Sequence, residues 1–213
     1  MMWRGGNTVA AENYNVICTV GVTCEKPDKW TRHVNDQSIV VGWAGYDTKT
    51  RFLPPEHFLV HAFREKIVQS FSEGRLIGEG PDGKLLVRIR EEGNRWHFEH
   101  ILATVQQRAS TPFMDFCSIL QSLIEITYTE LKKIDHRWVT PWKDVEVMIS
   151  PNGPFIEGCS LGDNGQTGRK LVMDYYGPRV PIGGGALSGK HLSHIDRAGS
   201  YATRQAAVEA ICT

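Results

Sequence analysis

The sequence predicts an α+β protein in which helices cover one face of mixed or largely antiparallel sheet. Two observations lead there. Short runs alternate apolar and polar residues as strands do, and two longer stretches place apolar residues at helical spacing. Their order, strand–helix–hairpin–helix–strand, is that of a layered α+β fold. The first fourteen residues are polar and Gly-containing and are expected to fray. Asn15–Val22 is rich in β-branched residues and reads as a strand. Thr23–Asn35 is a charged loop, and Ser38–Ala44 a second apolar strand. Pro54 and Pro55 then open a helix, since proline's missing N–H costs nothing in a first turn. Leu59, Ala62, Phe63, Ile67 and Phe71 follow at helical spacing, and Gly74 stops it.

Gly80-Pro81-Asp82-Gly83 is a turn. Leu85, Val87 and Ile89 alternate with Leu86, Arg88 and Arg90, which gives a strand with one wet face. Glu92-Gly93-Asn94 turns it back, and Trp96–Gln106 returns as the hairpin partner. Thr111-Pro112 starts the second long helix, with Phe113, Phe116, Leu120, Leu123, Ile124 and Leu131 on one side. Trp138–Lys143 connects to a strand at Val145, Val147 and Ile149. From Ser150 to Lys190 the chain is dominated by Gly, Pro and polar residues. It closes on an Ala-rich helix over Arg197–Ile211. The expected divisions are a frayed start at 1–14, an α+β domain at 15–150, and a Gly-rich segment at 151–213. A single structural unit is the alternative.

The 213 residues hold 24 Lys+Arg against 24 Asp+Glu, so the formal net charge is zero. That balance argues against a protein whose task is gripping nucleic acid or an anionic membrane surface. No apolar run approaches the ~18 residues of a membrane span. The opening residues have no apolar stretch that could serve as a signal peptide. Five widely spaced cysteines without a C-x-x-C indicate neither a disulfide framework nor a zinc knuckle. The expectation is a reduced, cytoplasmic protein.

Two stretches carry chemistry. One is Gly158-Cys159-Ser160-Leu161-Gly162-Asp163-Asn164-Gly165-Gln166-Thr167-Gly168-Arg169-Lys170. The other is Gly183-Gly184-Gly185-Ala186-Leu187-Ser188-Gly189-Lys190, followed by His191, His194, Asp196 and Arg197. Glycines let backbone approach a ligand and present N–H groups to an anion, and a closing Lys or Arg adds charge for phosphate oxygens. The second loop is not a Walker A loop, because His191 follows Lys190. A single such loop would be an ordinary surface feature. Two, each with a cation and an aspartate, favour an anion or nucleotide site.

These residues closely resemble methionine adenosyltransferase (S-adenosylmethionine synthetase), whose loops read GD-x-G-x-TGRK and GGGAFSGKD-x-x-K-x-DRS. Asp36-Gln37-Ser38-Ile39-Val40-Val41-Gly42-Trp43-Ala44 is similar to the family's GDQGLMFGYA, and Pro81-Asp82-Gly83-Lys84 to its R-P-D-x-K turn. Pro151, Gly153 and Phe155 precede the first loop as in the family. The similarity runs from about Asn15 to Ile211 and implies that family's α+β fold, with residues 151–213 a partial carboxyl-terminal-type domain.

The resemblance implies a transferase that joins ATP and methionine. The sulfur attacks C5′ of the ribose, displaces triphosphate, and the triphosphate is cleaved to pyrophosphate and phosphate. No protein nucleophile is needed; catalysis is positioning and charge stabilisation. By the same resemblance, Arg169, Lys170 and Lys190 hold the triphosphate, Asp196 binds Mg²⁺, and K⁺ is a further cofactor. Asp163 and Asp36 orient methionine and nucleoside, Asp82 and Lys84 line the adenosyl side, and Ala186 belongs to the ATP loop. His194, where the family has a lysine, faces methionine or phosphate. The catalytic set is therefore Lys84, Asp163, Arg169, Lys170, Lys190 and His194. The implied assembly is a homo-oligomer, dimer or tetramer, or a hetero-oligomer with a full-length family member.

There are departures. The family's His-Pro-Asp-Lys motif has no counterpart before Asn15, and Lys26-Pro27-Asp28-Lys29 reads better as the lid loop. Cys159 and Ser160 replace Gly-Pro. The family's carboxyl-terminal region does not follow Asp196-Arg197 at its usual length. The expectation is a chain truncated at both ends relative to the family: a gene fragment, a compact enzyme, or a non-catalytic partner of a full-length subunit.

Outside these stretches, His57 and His61 have metal-pair spacing on a helix but lack a third ligand, so an ordinary helix face is favoured. His97 and His100, three apart in a strand, should point to opposite faces. Trp138 and Trp142 should pack rather than bind.

Overall fold

The computed structural model describes residues 39–76, 82–158, 162 and 169–213. The chain divides into two compact units. Among the described residues, 55–76, 82–158 and 162 belong to the first, and 39–54 and 169–213 to the second. The frayed start, the strand at 15–22, the loop with Lys26–Lys29 and the Gly80-Pro81 turn lie outside the described residues.

The first unit contains helix α1 (Pro55–Ser72), strands β1 (Gly83–Glu92) and β2 (Arg95–Val105), helix α2 (Phe113–Ile134) and strand β3 (Glu146–Ile149). α1 ends as its glycine predicts. Gly74, at φ +73°, donates to the Phe71 carbonyl, and the Arg75 N–H reaches back to that of Ser70. This is the paired Schellman closure. β1 and β2 form the expected antiparallel hairpin, while β3 runs parallel to β2, so the order is β1-β2-β3 and the sheet is mixed. The physical reason is α2: a parallel neighbour needs a long crossover, and the helix supplies it.

Phe116, Leu120, Leu123, Ile124, Thr127 and Tyr128 are the buried face of α2. They meet Phe63 and Ile67 of α1 and the inward residues of β2 in a core dominated by rings. Phe63 stands 5.8 Å from Phe98, Phe98 stands 4.9 Å from Tyr128, and Trp96 stands 4.8 Å from Trp138, centroid to centroid. The connector after α2 is pinned to it, because Tyr128 Oη and Lys132 Nζ both donate to the Thr140 carbonyl. Trp138 is thus a packing residue, as expected. Burial pushes the Tyr128 hydroxyl far above the ordinary tyrosine range.

The other face of the sheet carries charge, and it departs from the expected pattern. The pairing slips between Arg88 and Ile89, leaving Glu99 as the extra residue on β2. A bulge of this kind advances the alternation by one. His97 and His100 therefore share the polar face rather than opposing faces. His97 Nε2 lies 3.1 Å from Glu92, and His100 Nδ1 lies 3.0 Å from Glu146. Glu99 accepts from both Arg90 and Arg88. Hydrogen bonds from Arg90 hold Glu92 and Glu99 below the usual carboxylate range. Depressed folded values mean that their stabilisation is present at neutral pH and fades as pH falls through those values. We expect a small acid-induced drop in the urea midpoint that ~1 M salt flattens, because these pairs are exposed. Urea titrations at pH 7 and pH 3, with and without salt, check it.

The second unit contains a four-residue helix α3 (Leu171–Asp174) and helix α4 (Ile195–Cys212), which starts two residues before the sequence suggests. Its small core is Tyr175, Tyr176 and Val180, packed by Val41, Trp43, Leu53, Leu171 and Leu187. Residues 39–44 are not a strand. Their backbone is claimed by other partners: the Ile39 carbonyl accepts from the Gly184 N–H at 2.9 Å, and that of Trp43 accepts from Arg204. Arg204 also donates to the carbonyls of Phe52 and Arg51, and its guanidinium stands 5.6 Å from the Tyr176 ring centroid. One side chain of α4 thereby fixes a segment with little regular structure of its own. No helix among the described residues is long and apolar enough to cross a membrane.

Candidate functional site

The second Gly-rich loop and the start of α4 build one cluster. Asp196 sits in the first turn of α4, where a carboxylate complements the helix dipole. It is buried, 5% exposed. Lys190, at the loop's end, forms an ion pair with its Oδ2. His194 is the N-cap: its Nδ1 accepts from the Asp196 N–H at 3.2 Å, and that ring nitrogen lies 3.5 Å from Oδ2. An accepting Nδ1 places the ring proton on Nε2. Arg197 donates from Nη1 to the Lys190 carbonyl at 2.7 Å, tying the loop's end to the helix.

Gly185 is required here by space. A Cβ on it would stand 1.8 Å from Asp196 Oδ2 and 2.0 Å from Cγ. The loop backbone therefore lies directly against the carboxylate. Tyr175 completes the arrangement. Its hydroxyl donates to the Gly185 carbonyl at 2.9 Å and stands 3.3 Å from Ser200 Oγ. Ser200 Oγ in turn donates to the Asp196 carbonyl. Ala186 is half-buried in the same loop.

The remaining expected residues are distributed as follows. Arg169 and Lys170 are exposed at the entry to α3, with the Lys170 carbonyl accepting from Met173 and Asp174. Asp82 and Lys84 belong to the first unit, at the start of β1. There the Gln106 N–H donates to the Asp82 carbonyl at 2.8 Å, and Gln106 Nε2 donates to the Ile156 carbonyl. A Cβ on Gly158 would meet Gln106 Oε1 at 2.8 Å and Asp82 Cβ at 3.0 Å. Asp82 therefore stands at the head of the first Gly-rich stretch. Lys84 is exposed. Asp36, Asp163 and Cys159 lie outside the described residues. The sequence reading did not assign Tyr175, Ser200 or Arg204. Nothing local marks them: Tyr175 and Arg204 act on backbone outside their own element, and Ser200, which bonds the Asp196 carbonyl one turn back, gains its place only from the approach of Tyr175.

Among the described residues no group of three or more His, Cys, Asp or Glu could hold a metal ion. His57 and His61 do meet, Nε2 to Nε2 at 3.1 Å, but His57 is buried in α1 rather than on an open helix face. Cys117 and Cys212 are free thiols, and burial pushes the Cys117 thiol up.

A cation, a buried carboxylate and a close-packed Gly-rich backbone at a helix N-terminus are suited to holding anionic oxygens, alone or with a divalent cation. Residues 157–212 match the family model described as S-adenosylmethionine synthetase, C-terminal domain. The S-adenosylmethionine synthase of Acholeplasma laidlawii is 32% identical over 195 residues, covering 90% of this chain and 48% of that protein. That of Cutibacterium acnes is 34% identical over 172 residues, covering 79% and 42%. An unusual S-adenosylmethionine synthetase from Campylobacter jejuni superposes with TM-score 0.70 over 84% of this chain and 46% of its own, at 24% identity, so the architecture is shared. The chain spans about half the length of the curated relatives it matches. From the matched segment, the relatives and the shared architecture together, the chain belongs to the S-adenosylmethionine synthetase family.

Proposed function

We propose that this chain contributes to forming S-adenosylmethionine from ATP and methionine, with release of pyrophosphate and phosphate. One observation carries the reading. Lys190 from the Gly-rich loop and Asp196 from α4 meet in a pair with the loop backbone pressed against the carboxylate. Separated by a ligand, the lysine serves a triphosphate oxygen and the aspartate serves a cation. The donor set fits Mg²⁺ as a single carboxylate ligand, with water and phosphate oxygens completing its shell. When bound, Mg²⁺ neutralises charge on the triphosphate; K⁺ has no assigned ligand among these residues. Arg169 and Lys170 add cations for the phosphates, and His194 caps α4 while facing the same carboxylate. Asp82 and Lys84 serve the adenosyl side, and Asp36 and Asp163 orient methionine and nucleoside. The working assembly is an oligomer, of copies of this chain or with a longer family member.

The test is direct. The purified chain is incubated with ATP, methionine, Mg²⁺ and K⁺, alone and with a full-length family member, and S-adenosylmethionine and pyrophosphate are quantified. Product from either mixture that depends on this chain supports the reading. No dependence in either overturns it. Lys190→Ala should lower turnover by about 10²–10³-fold, the usual effect of removing one preorganised charge-stabilising donor.

A further inference from the structure

We infer that Tyr175 is a positioning residue: its hydroxyl clamps the Gly183–Lys190 loop onto α4 and so sets the geometry of the Lys190–Asp196 pair. The inference deepens the function proposed above and rests on it for the ligand, though not for the clamp itself.

The proton count makes the argument. Two hydroxyls, Tyr175 and Ser200, face two carbonyls, Gly185 and Asp196. Each hydroxyl has one proton. Tyr175 gives its proton to Gly185 at 2.9 Å, and Ser200 gives its proton to Asp196. With both protons so placed the 3.3 Å approach of the two oxygens carries no hydrogen bond; the Ser200 proton turned to Tyr175 Oη instead gives the chain Ser200 to Tyr175 to Gly185. That chain links loop to helix through one pair of hydroxyls, with Ser200 one turn beyond Asp196. Tyr175 can act as a fixed post because its ring belongs to the small core: it is 7% exposed and stands 6.2 Å from the Tyr176 ring. It sits directly after α3, itself preceded by Arg169 and Lys170, so the same post connects both cationic stretches to α4.

The glycine loop has no regular structure to hold it. Its contact with Asp196 depends on the Gly185 backbone staying against the carboxylate. Without the phenol the half-buried Gly185 carbonyl loses that partner, a loss that favours movement toward water. The ring and its packing remain in Tyr175→Phe, so that variant removes the clamp without opening a cavity.

The experiment compares the full chain with Tyr175→Phe, Ser200→Ala and the exposed control Tyr201→Phe. Hydrogen exchange of the loop amides from Gly184 to Lys190 is measured, together with binding of inorganic tripolyphosphate in Mg²⁺. We expect Tyr175→Phe to speed loop exchange and weaken tripolyphosphate about five- to tenfold. Helix amides late in α4 should keep their rates. Ser200→Ala should do less, and Tyr201→Phe nothing. Loop exchange unchanged in Tyr175→Phe overturns the clamp. Faster exchange confined to the loop supports it, whether or not wild-type chain binds tripolyphosphate. Failure of wild-type binding counts against the proposed function alone. Equal binding by wild type and Tyr175→Phe, with faster exchange, overturns the link from clamp to site.

Discussion

Alanine at Gly185 will disable the Gly-rich loop, while alanine at the adjacent Gly184 will leave it intact. The difference lies in what each missing side chain would touch. A Cβ on Gly185 would stand 1.8 Å from Asp196 Oδ2. That carboxylate is short, buried and paired with Lys190, so it cannot swing aside without breaking the pair. A Cβ on Gly183 would stand 2.1 Å from the Ile39 carbonyl oxygen, which is backbone and yields less readily still. A Cβ on Gly184 meets nothing within 4 Å among the described residues. Gly183→Ala and Gly185→Ala should each cost the second unit about 1–3 kcal/mol, the range for overpacking a filled site. Both should lower tripolyphosphate affinity at least tenfold. Gly184→Ala should match wild type in both. Urea midpoints and titration calorimetry on the three variants check this, and three equal responses would be the contrary result.

Replacing Trp138 with alanine will cost the first unit about 3–5 kcal/mol, the range for deleting a fully buried large aromatic side chain. Trp138 is 1% exposed, edge-on to Trp96 at 4.8 Å and to Tyr128 at 6.2 Å. It anchors the connector between α2 and β3, where the Val139 N–H donates to the Trp96 carbonyl. Its own indole N–H is buried without a hydrogen-bond partner among the described residues. Trp138→Phe should therefore cost much less than the alanine variant, since it keeps most ring contacts and removes the unsatisfied donor. A chemical-denaturation series separates the two. Equal losses would mean that the indole's full volume, not ring stacking, decides the packing.

Much of this structure was legible locally. Gly74 sits at a helix end because its φ of +73° suits glycine, and the periodic run before it stops there. The Gly93 turn and the alternation on either side gave the hairpin. Pro54 and Pro55 marked the start of α1. The two cationic Gly-rich stretches stood out by residue chemistry, and their resemblance to one family was specific enough to name it. Lys190 and Asp196, six residues apart, were both marked as site residues, and they do meet.

What the sequence determined by itself was therefore periodicity, turn chemistry and the inventory of charged and Gly-rich stretches, because each is fixed by neighbours in the chain. Only the tertiary structure decided the rest. Residues 39–44 have strand composition, yet their carbonyls answer to Gly184 and Arg204 rather than to a strand. His97 and His100 share a face because Glu99 is an extra residue in pairing with β1, which no spacing rule can show. β3 runs parallel because of where α2 returns the chain. Tyr175 became part of the site only when folding brought Gly185 and Ser200 to its hydroxyl. In each case the deciding partner is distant in sequence, and a hydrogen bond or a bulge is specified by both sides at once.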